Sequence, residues 1–488
     1  MVSNAKVARH TVWAVLGQGA GQILSLISFL FIARFVSQAS FGLVAVSLAA
    51  IEIVRRIVID PITYGLTAKT DVTDRDYNVS LTLLVLIGAL TSAVMFALAG
   101  PLAALIGTPS AAQPLRILSL LLFTYGLAGT HGAWLVRNMR FRALALRSTI
   151  SVVIGGGIGI AMALNGFEMW SLVGQQLAIN VISLVTLWSS TDWRPRPVLR
   201  RADIKDTYHS IRHISLSAVW TSIGNDVDLF FASAWFGPAI AGIYNAAKRI
   251  LLSATLMLVH AISAVSLSAF ASIEDDEHRC RELCGGLRFT SAITAPAFAG
   301  LAATAPEVVH VILGDRWASV APILSALALS GYLLSLGIIA SSALLVAQRS
   351  HLDSLSSAIT AAANVIAFLA MVHFGPVALA VTVSIMALLL VPMRLGFALR
   401  AFGGKWRDAW RAVLPSLSAT GVMLGGLLIV RYFLPAGLPA IELLPALTVT
   451  GALLYLIALR LFSRTLFELV LGAVGVARFH RPAVAPAE

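Results

Sequence analysis

Apolar runs of at least 17 residues recur along the whole of this 488-residue chain, and nothing else in it constrains the fold as strongly. Each run is long enough to cross a hydrocarbon core roughly 30 Å thick. Within such a core every backbone N–H and C=O must be satisfied inside the protein, so continuous runs fold as helices. They do not alternate between apolar and polar residues, which excludes a β-barrel. Composition agrees, with 58% hydrophobic and 12% charged residues and a mean hydropathy of +0.87. A soluble chain carries roughly 25% charged residues.

The sequence therefore predicts an all-α integral membrane protein with about 14 transmembrane helices. Their approximate spans are 11–33, 42–66, 80–105, 115–135, 147–164, 168–188, 212–234, 240–270, 286–313, 319–346, 354–373, 376–398, 412–432 and 443–461. The longest connection, about 189–211, lacks the length and patterning of a folded domain, so no extramembrane catalytic domain is expected. Lys6 and Arg9 precede a first apolar run too long for a signal-peptide core, which predicts an uncleaved first helix.

With these spans, 27 of the 35 Lys and Arg residues fall on the side shared by the two termini. Arg34, Arg116, Arg316 and Arg431 fall on the other. This asymmetry predicts that both termini are cytoplasmic. It also accounts for the net charge of +12 without nucleic acid, because basic loops such as 137–147 and 194–212 suit anionic lipid headgroups. The two cysteines, Cys280 and Cys284, lie in a predicted cytoplasmic loop and read as a reduced thiol pair. No metal site is expected from them.

The remaining four cations interrupt apolar runs: Arg55 and Arg56 in the second, Lys248 and Arg249 in the eighth. A cation at a lipid-facing helix centre costs about 2.5–3.5 kcal/mol even on the lenient insertion scale, so such residues usually face a watery cavity. In helix two, Glu52, Arg56 and Asp60 are four apart and share a face, so Arg56 is either neutralised within its own helix or free for cargo. Arg55 has no carboxylate four residues away and, where it faces the cavity, is the better candidate to hold an anionic cargo, since a guanidinium offers two donors to a phosphate. Pro61 is expected to kink this helix. Helices seven and eight form a hairpin about Gly237-Pro238 that brings Asp226 and Asp228 level with Lys248 and Arg249. These four either neutralise one another or leave a cation spare for cargo, with a carboxylate able to carry a coupling ion. Gln18, Gln22, Asn225 and Asn245 are candidate polar residues of the cavity. Gly17-x-x-x-Gly21, Gly155-x-x-x-Gly159 and Gly421-x-x-x-Gly425 read as close helix contacts.

An internal repeat appears at an offset of 200 residues. The stretch Ala33–Ala45 lies over Ser233–Asn245, aligning Phe35 with Trp235, Ala39 with Ala239 and Gly42 with Gly242. Both segments join the first two helices of a six-helix block. The predicted organisation is an N-lobe (1–200), a C-lobe (201–400) and two further helices with a cytoplasmic tail (401–488). The lobes are expected to be related by a pseudo-two-fold axis along the membrane normal, with a site between them.

Two motifs carry a resemblance. Ile32-Ala33-Arg34-Phe35-Val36-Ser37 with Phe41-Gly42-Leu43-Val44 is similar to the first periplasmic turn of the polysaccharide transporter (Wzx-type) flippases of the multidrug/oligosaccharidyl-lipid/polysaccharide exporter superfamily. Asn225-Asp226-Val227-Asp228, continuing through Gly242-Ile243-Tyr244-Asn245-Ala246-Ala247-Lys248-Arg249, resembles the start of their second lobe. The resemblance implies a bacterial inner-membrane protein that flips polyprenyl-diphosphate-linked oligosaccharides of exopolysaccharide, O-antigen or capsule to the periplasm. It implies a lipid-linked substrate, a polymerase and a chain-length regulator as partners, and no cofactor. No Walker-type phosphate loop occurs, so the membrane potential rather than ATP is the expected drive. A multidrug cation antiporter of the same superfamily is the alternative, with a membrane-embedded polysaccharide polymerase a weaker one.

Overall fold

The computed structural model describes residues 21, 23–69, 71–198, 200–271, 275–433 and 438–473. All regular secondary structure among them is helical. Among the described residues, ten helices are long and apolar enough to cross a membrane, or eleven when one bent pair counts as a single span. A shorter apolar helix, α1, covers Ile23–Ala33.

The second apolar run is helical from Gln38 to Ala68 but changes its winding in the middle. α2 (Gln38–Val54) passes through a π turn (Arg55–Ile59) into α3 (Asp60–Ala68). Pro61 sits in the first turn of α3. Proline has no N–H to donate and its ring collides with the carbonyl four residues back. The wider turn answers both demands, and the Asp60 N–H reaches back to the Arg55 carbonyl. In place of a simple proline kink, one extra residue enters the helix.

Beyond it lie α4 (Asp74–Leu105), α5 (Ala112–Arg137), α6 (Phe141–Leu164) and α7 (Met169–Ser190). α4 opens on a reciprocal cap: the Thr73 hydroxyl accepts from the Asp76 N–H, while the Asp76 carboxylate accepts from the Thr73 N–H. The stretch Arg201–Ala271 is broken at Gly237, whose φ of 82° no bulky residue adopts easily, giving α8 (201–236) and α9 (238–271). α8 begins about ten residues before its apolar run. Residues 201–211 are polar and helical, and hydropathy marks the depth of hydrocarbon without marking where a helix starts.

The next span is a bent pair: α10 (Asp276–Ala303) and α11 (Ala305–Leu313) meet at 75°. Pro306 explains the break at Thr304, since it has no N–H for the carbonyl four residues back and its ring collides with that carbonyl. The chain continues through α12 (Val320–Val346), α13 (Ser350–Met371), α14 (Pro376–Ala401), α15 (Trp406–Phe433), α16 (Ala440–Phe462) and a short α17 (Arg464–Ala473).

The chain packs into two compact units. The first comprises Met1–Met257, Ile312–Leu327 and Ser354–Met386, and the second Leu258–Val311, Ala328–Asp353 and Ala387–Glu488. In the first, Phe41 packs edge-on against both Phe29 and Trp317. Trp317 is wholly enclosed and donates its indole N–H to the Ala33 carbonyl at 2.9 Å. In the second, Met423, Leu427, Leu447 and Leu459 form a core with Tyr455, whose hydroxyl donates to the Ala292 carbonyl at 2.6 Å.

The aligned glycines of the repeat touch. A Cβ at Gly42 would collide with the Pro238 carbonyl and lie 2.8 Å from the Gly242 nitrogen. A Cβ at Gly242 would collide with the Gln38 carbonyl and lie 2.9 Å from the Gly42 nitrogen. The two contacts mirror each other at the offset of 200. Gly155 and Gly159 likewise admit α7, at Ile179 and Gln175. Gly421 and Gly425, in contrast, have open space around them, and their neighbour Gly426 is the residue packed on α16, at Leu454. That stripe therefore faces away from the helix contact expected for it. Gly17 lies outside the described residues.

Overpacking a tight contact costs about 1–3 kcal/mol. Gly42→Val and Gly242→Val should each lower the melting temperature of the purified protein in detergent by several degrees. Gly421→Val, made in open space, should leave it unchanged, as a scanning-fluorimetry series would show.

Candidate functional site

The first unit gathers the charged residues of α2, α8 and α9, and the π turn decides how they pair. Glu52, three residues back, shares a face with Arg55 in ordinary winding, and the added residue brings Asp60, five residues on, to that same face. The Arg55 guanidinium lies 2.6 Å from Glu52 Oε2 and 3.9 Å from Asp60 Oδ2. It also stacks over the Tyr125 ring of α5, 5.0 Å from the centroid. Tyr125 donates its hydroxyl to Glu52 Oε1 at 3.0 Å. Arg56 is turned out of its own helix and pairs with Asp226 of α8, Nη1 to Oδ2, at 2.6 Å. The expected roles are thus exchanged. Arg55 is the arginine neutralised locally, and Arg56 is the one that ties two helices.

Across the α8–α9 hairpin, Lys248 lies 2.7 Å from Asp228 Oδ1 and also donates to the Asn225 carbonyl. Asp228 is buried, at 4% exposure, and two further donors join Lys248 on its carboxylate. The Leu229 N–H reaches Oδ1 at 2.9 Å and the Tyr244 hydroxyl reaches Oδ2 at 3.0 Å. A carboxylate so deep is tolerable only with this degree of satisfaction.

Arg249 stands apart. It turns toward α1, where Nη2 donates to the Ser25 hydroxyl at 2.9 Å and contacts the Ser25 carbonyl at 3.5 Å. Its guanidinium carbon sits 4.5 Å above the centroid of the Phe29 ring. Among the described residues no carboxylate pairs with it. The four cations and four carboxylates balance formally but not locally: Arg55 has two acids and Arg249 none. Arg55 and Arg56 keep 31% and 35% of their side chains exposed, and Lys248 keeps 17%, so the two arginines are the more open pair.

Asn245 lies one helical turn before Arg249, half-buried, and Asn225 is exposed. Gln18 and Gln22 lie outside the described residues. Four contributors escaped the sequence reading: Ser25, Phe29, Tyr125 and Tyr244. Only Tyr244 carried a usable signal, being four residues before Lys248 on one helical face. Ser25, Phe29 and Tyr125 reach the site through packing between distant helices, which no local pattern announces.

A bundle of apolar helices that keeps half-exposed, ion-paired cations on helices from both repeated segments is built as a membrane transporter. More particularly, the chain belongs to the family of polysaccharide biosynthesis proteins, which matches residues 31–322 and contains the Wzx-type transporters of the multidrug/oligosaccharidyl-lipid/polysaccharide exporter superfamily. It is 29% identical over 343 residues to the succinoglycan biosynthesis transport protein ExoT of Rhizobium meliloti (strain 1021), covering 67% of each chain. The lipopolysaccharide biosynthesis protein WzxC of Escherichia coli (strain K12) is 21% identical over 339 residues, covering 69% of this chain and 68% of that one. The fold matches the lipid II flippase MurJ in an inward closed conformation, with a TM-score of 0.78 at 16% identity over 93% of this chain and 99% of that one. An inward-facing multidrug resistance MATE transporter of the same superfamily matches with a TM-score of 0.57 at 16% identity, over 83% and 95%. The protein is a multi-pass membrane transporter of polysaccharide biosynthesis.

Removing one partner of a buried ion pair costs about 3–5 kcal/mol, because the other charge is left alone. Lys248→Met should therefore depress the melting temperature sharply. Adding Asp228→Asn should restore most of the loss, and a thermal double-mutant cycle would read the coupling.

Proposed function

We propose that the protein is a flippase carrying polyprenyl-diphosphate-linked oligosaccharide repeat units from the cytoplasmic to the periplasmic leaflet. The observation that carries this reading is Arg249, an intramembrane guanidinium with hydroxyl, carbonyl and ring partners but no carboxylate among the described residues. A cation left uncompensated there calls for an anion from outside the chain, and a diphosphate matches its forked donors. Arg55 and Arg56, each about one-third exposed, and Lys248 supply further positive charge. Asn225 and Asn245 offer amides to sugar hydroxyls. The carboxylates Glu52, Asp60, Asp226 and Asp228 hold the cations in place and exchange partners, or a coupling ion, as cargo passes.

Alternating access over a fourteen-span, two-lobe plan (1–200 and 201–400, with 401–488 appended) suits this cargo. The mirrored Gly42 and Gly242 contacts support that plan. The prenyl tail has a place in the second unit, where α10, α15 and α16 line an apolar groove of about 580 Å³ with Pro296, Leu301, Leu427, Leu447, Ala452 and Leu456. The names of ExoT and WzxC, which tie them to succinoglycan and lipopolysaccharide biosynthesis, support an extracellular polysaccharide as the final product. Both termini lie in the cytoplasm of a bacterial inner membrane, and a polymerase and chain-length regulator receive the cargo. An inside-negative potential of 100 mV contributes about 2.3 kcal/mol for each negative charge moved outward, or about 4.6 for a dianion.

The second reading, a multidrug cation antiporter, is favoured by the formal balance of acids and bases and by the MATE likeness in fold. The two readings part at Arg249. A charge-assisted hydrogen bond contributes about 1.5–3 kcal/mol. Arg249→Ala should cut surface polysaccharide roughly 10–100-fold while membrane insertion persists, with Arg249→Lys intermediate. Normal export from Arg249→Ala would defeat the flippase reading. Proton-driven cation efflux, lost on Asp226→Asn, would establish the antiporter.

A further inference from the structure

In the second unit the polar ends of two helices enclose a cavity of about 740 Å³ that the transport reading does not use. One wall is the first three turns of α10, and the other is the α14–α15 turn with the start of α15. Five cations line it, Arg281 and Arg288 from α10 with Lys405, Arg407 and Arg411 around α15, against two carboxylates, Glu277 and Asp408. Neither carboxylate forms an ion pair with any of the five among the described residues. Charges separated by more than a hundred residues of sequence thus converge on one concavity with an excess of three positive charges. A solvated loop would instead spread them.

The surroundings fix the depth. Trp406 and Trp410, on the same end of α15, are 42% and 58% exposed, as befits the belt of aromatic residues at headgroup level. Buried Phe402 and Ala412 add apolar surface beside the cations. The opening turn of α15 borders the same cavity through Arg407 and Asp408, and the positive end of a helix is a further attraction for an anion. Positive charge over apolar surface at headgroup depth is the complement of a phosphate attached to a lipid.

We infer that this cavity binds the phosphate of a net-anionic lipid, on the side that the basic-residue asymmetry assigns to the cytoplasm. The site lies on helices other than those of Arg249 and stands whether or not the flippase reading does. Two sources share the chemistry: an anionic phospholipid of the bilayer, or the diphosphate of a prenyl-linked sugar.

The chain supplies its own reporter. Its two cysteines, Cys280 and Cys284, both line this cavity and are partly accessible, so a thiol label reads its occupancy alone. The full-length protein is placed in nanodiscs of pure phosphatidylcholine, or with phosphatidylglycerol or cardiolipin, or with polyprenyl diphosphate added, and maleimide labelling is timed. Free inorganic diphosphate in phosphatidylcholine discs is the fourth arm. Labelling should slow severalfold where an anionic lipid-borne phosphate is present, relative to discs of phosphatidylcholine, whose choline cancels the phosphate charge. Protection by phosphatidylglycerol or cardiolipin assigns the site to the bilayer, and protection only by polyprenyl diphosphate assigns it to the cargo. Each of Arg288→Ala, Lys405→Ala and Arg411→Ala should weaken protection roughly fivefold, the factor for about 1 kcal/mol per basic residue near an anionic surface. Arg349→Ala, a cation outside the cavity, should leave protection intact. Equal labelling in every disc, protection by free diphosphate alone, or protection that survives the triple variant at an unchanged melting temperature would overturn the inference. Lipid retained in native mass spectra, and lost from the triple variant, gives a readout independent of thiol chemistry.

Discussion

An ionised side chain in hydrocarbon has no water to fall back on, so the charges within the apolar runs, at 52–60, 226–228 and 248–249, must be met by other parts of the protein. That requirement organises the first unit. Arg56 reaches Asp226 and so joins α2 to α8, while Lys248 reaches Asp228 and so joins α8 to α9. The pairs act as stitches between helices that have little hydrophobic reason to associate, since lipid tails solvate leucine as well as another helix does. Arg249 extends the pattern to α1 through Ser25 and Phe29, without a carboxylate. The polar contacts that make the unit coherent are therefore the same contacts that set its unbalanced charge.

Much of this was legible in the sequence, and the failures have physical causes. Apolar runs located the helices, because hydrocarbon thickness fixes their length. The ends of α8 and α10 were missed, since a helix continues into water for reasons that hydropathy does not measure. The depth of Asp228 against Lys248 followed from counting residues on either side of Gly237, since a hairpin with one tight break preserves register. The partners of Arg55 and Arg56 did not follow: counting by fours passes over Glu52, three residues before Arg55, and beyond Arg55 the winding is no longer 3.6 residues per turn. One π turn rotates everything beyond it by about a third of a revolution. Pro61 was the visible sign of trouble, but a proline is met by a kink or by a wider turn, and the letters do not say which.

The π turn also explains why two arginines stand side by side. In uniform helix, neighbours point about 100° apart, and both would find the same carboxylates only at the expense of strained rotamers. With the extra residue, Arg55 is held within its own helix by Glu52 and by the ring of Tyr125, and Arg56 is presented outward. The aromatic ring matters because it takes charge from the guanidinium face while the carboxylate takes it from the edge. A lysine at position 55, a compact point charge without a planar face, could not stack on the ring and fork to the carboxylate at once.

The mirrored glycines tie the two segments to each other's backbone. Gly42 meets Pro238 and Gly242 while Gly242 meets Gln38 and Gly42, a reciprocal pattern in which i touches j and j touches i. A side chain gained at either position would strike main chain, which no change of rotamer can move aside. Both segments would have to shift together, so one methyl group would be felt at two turns two hundred residues apart.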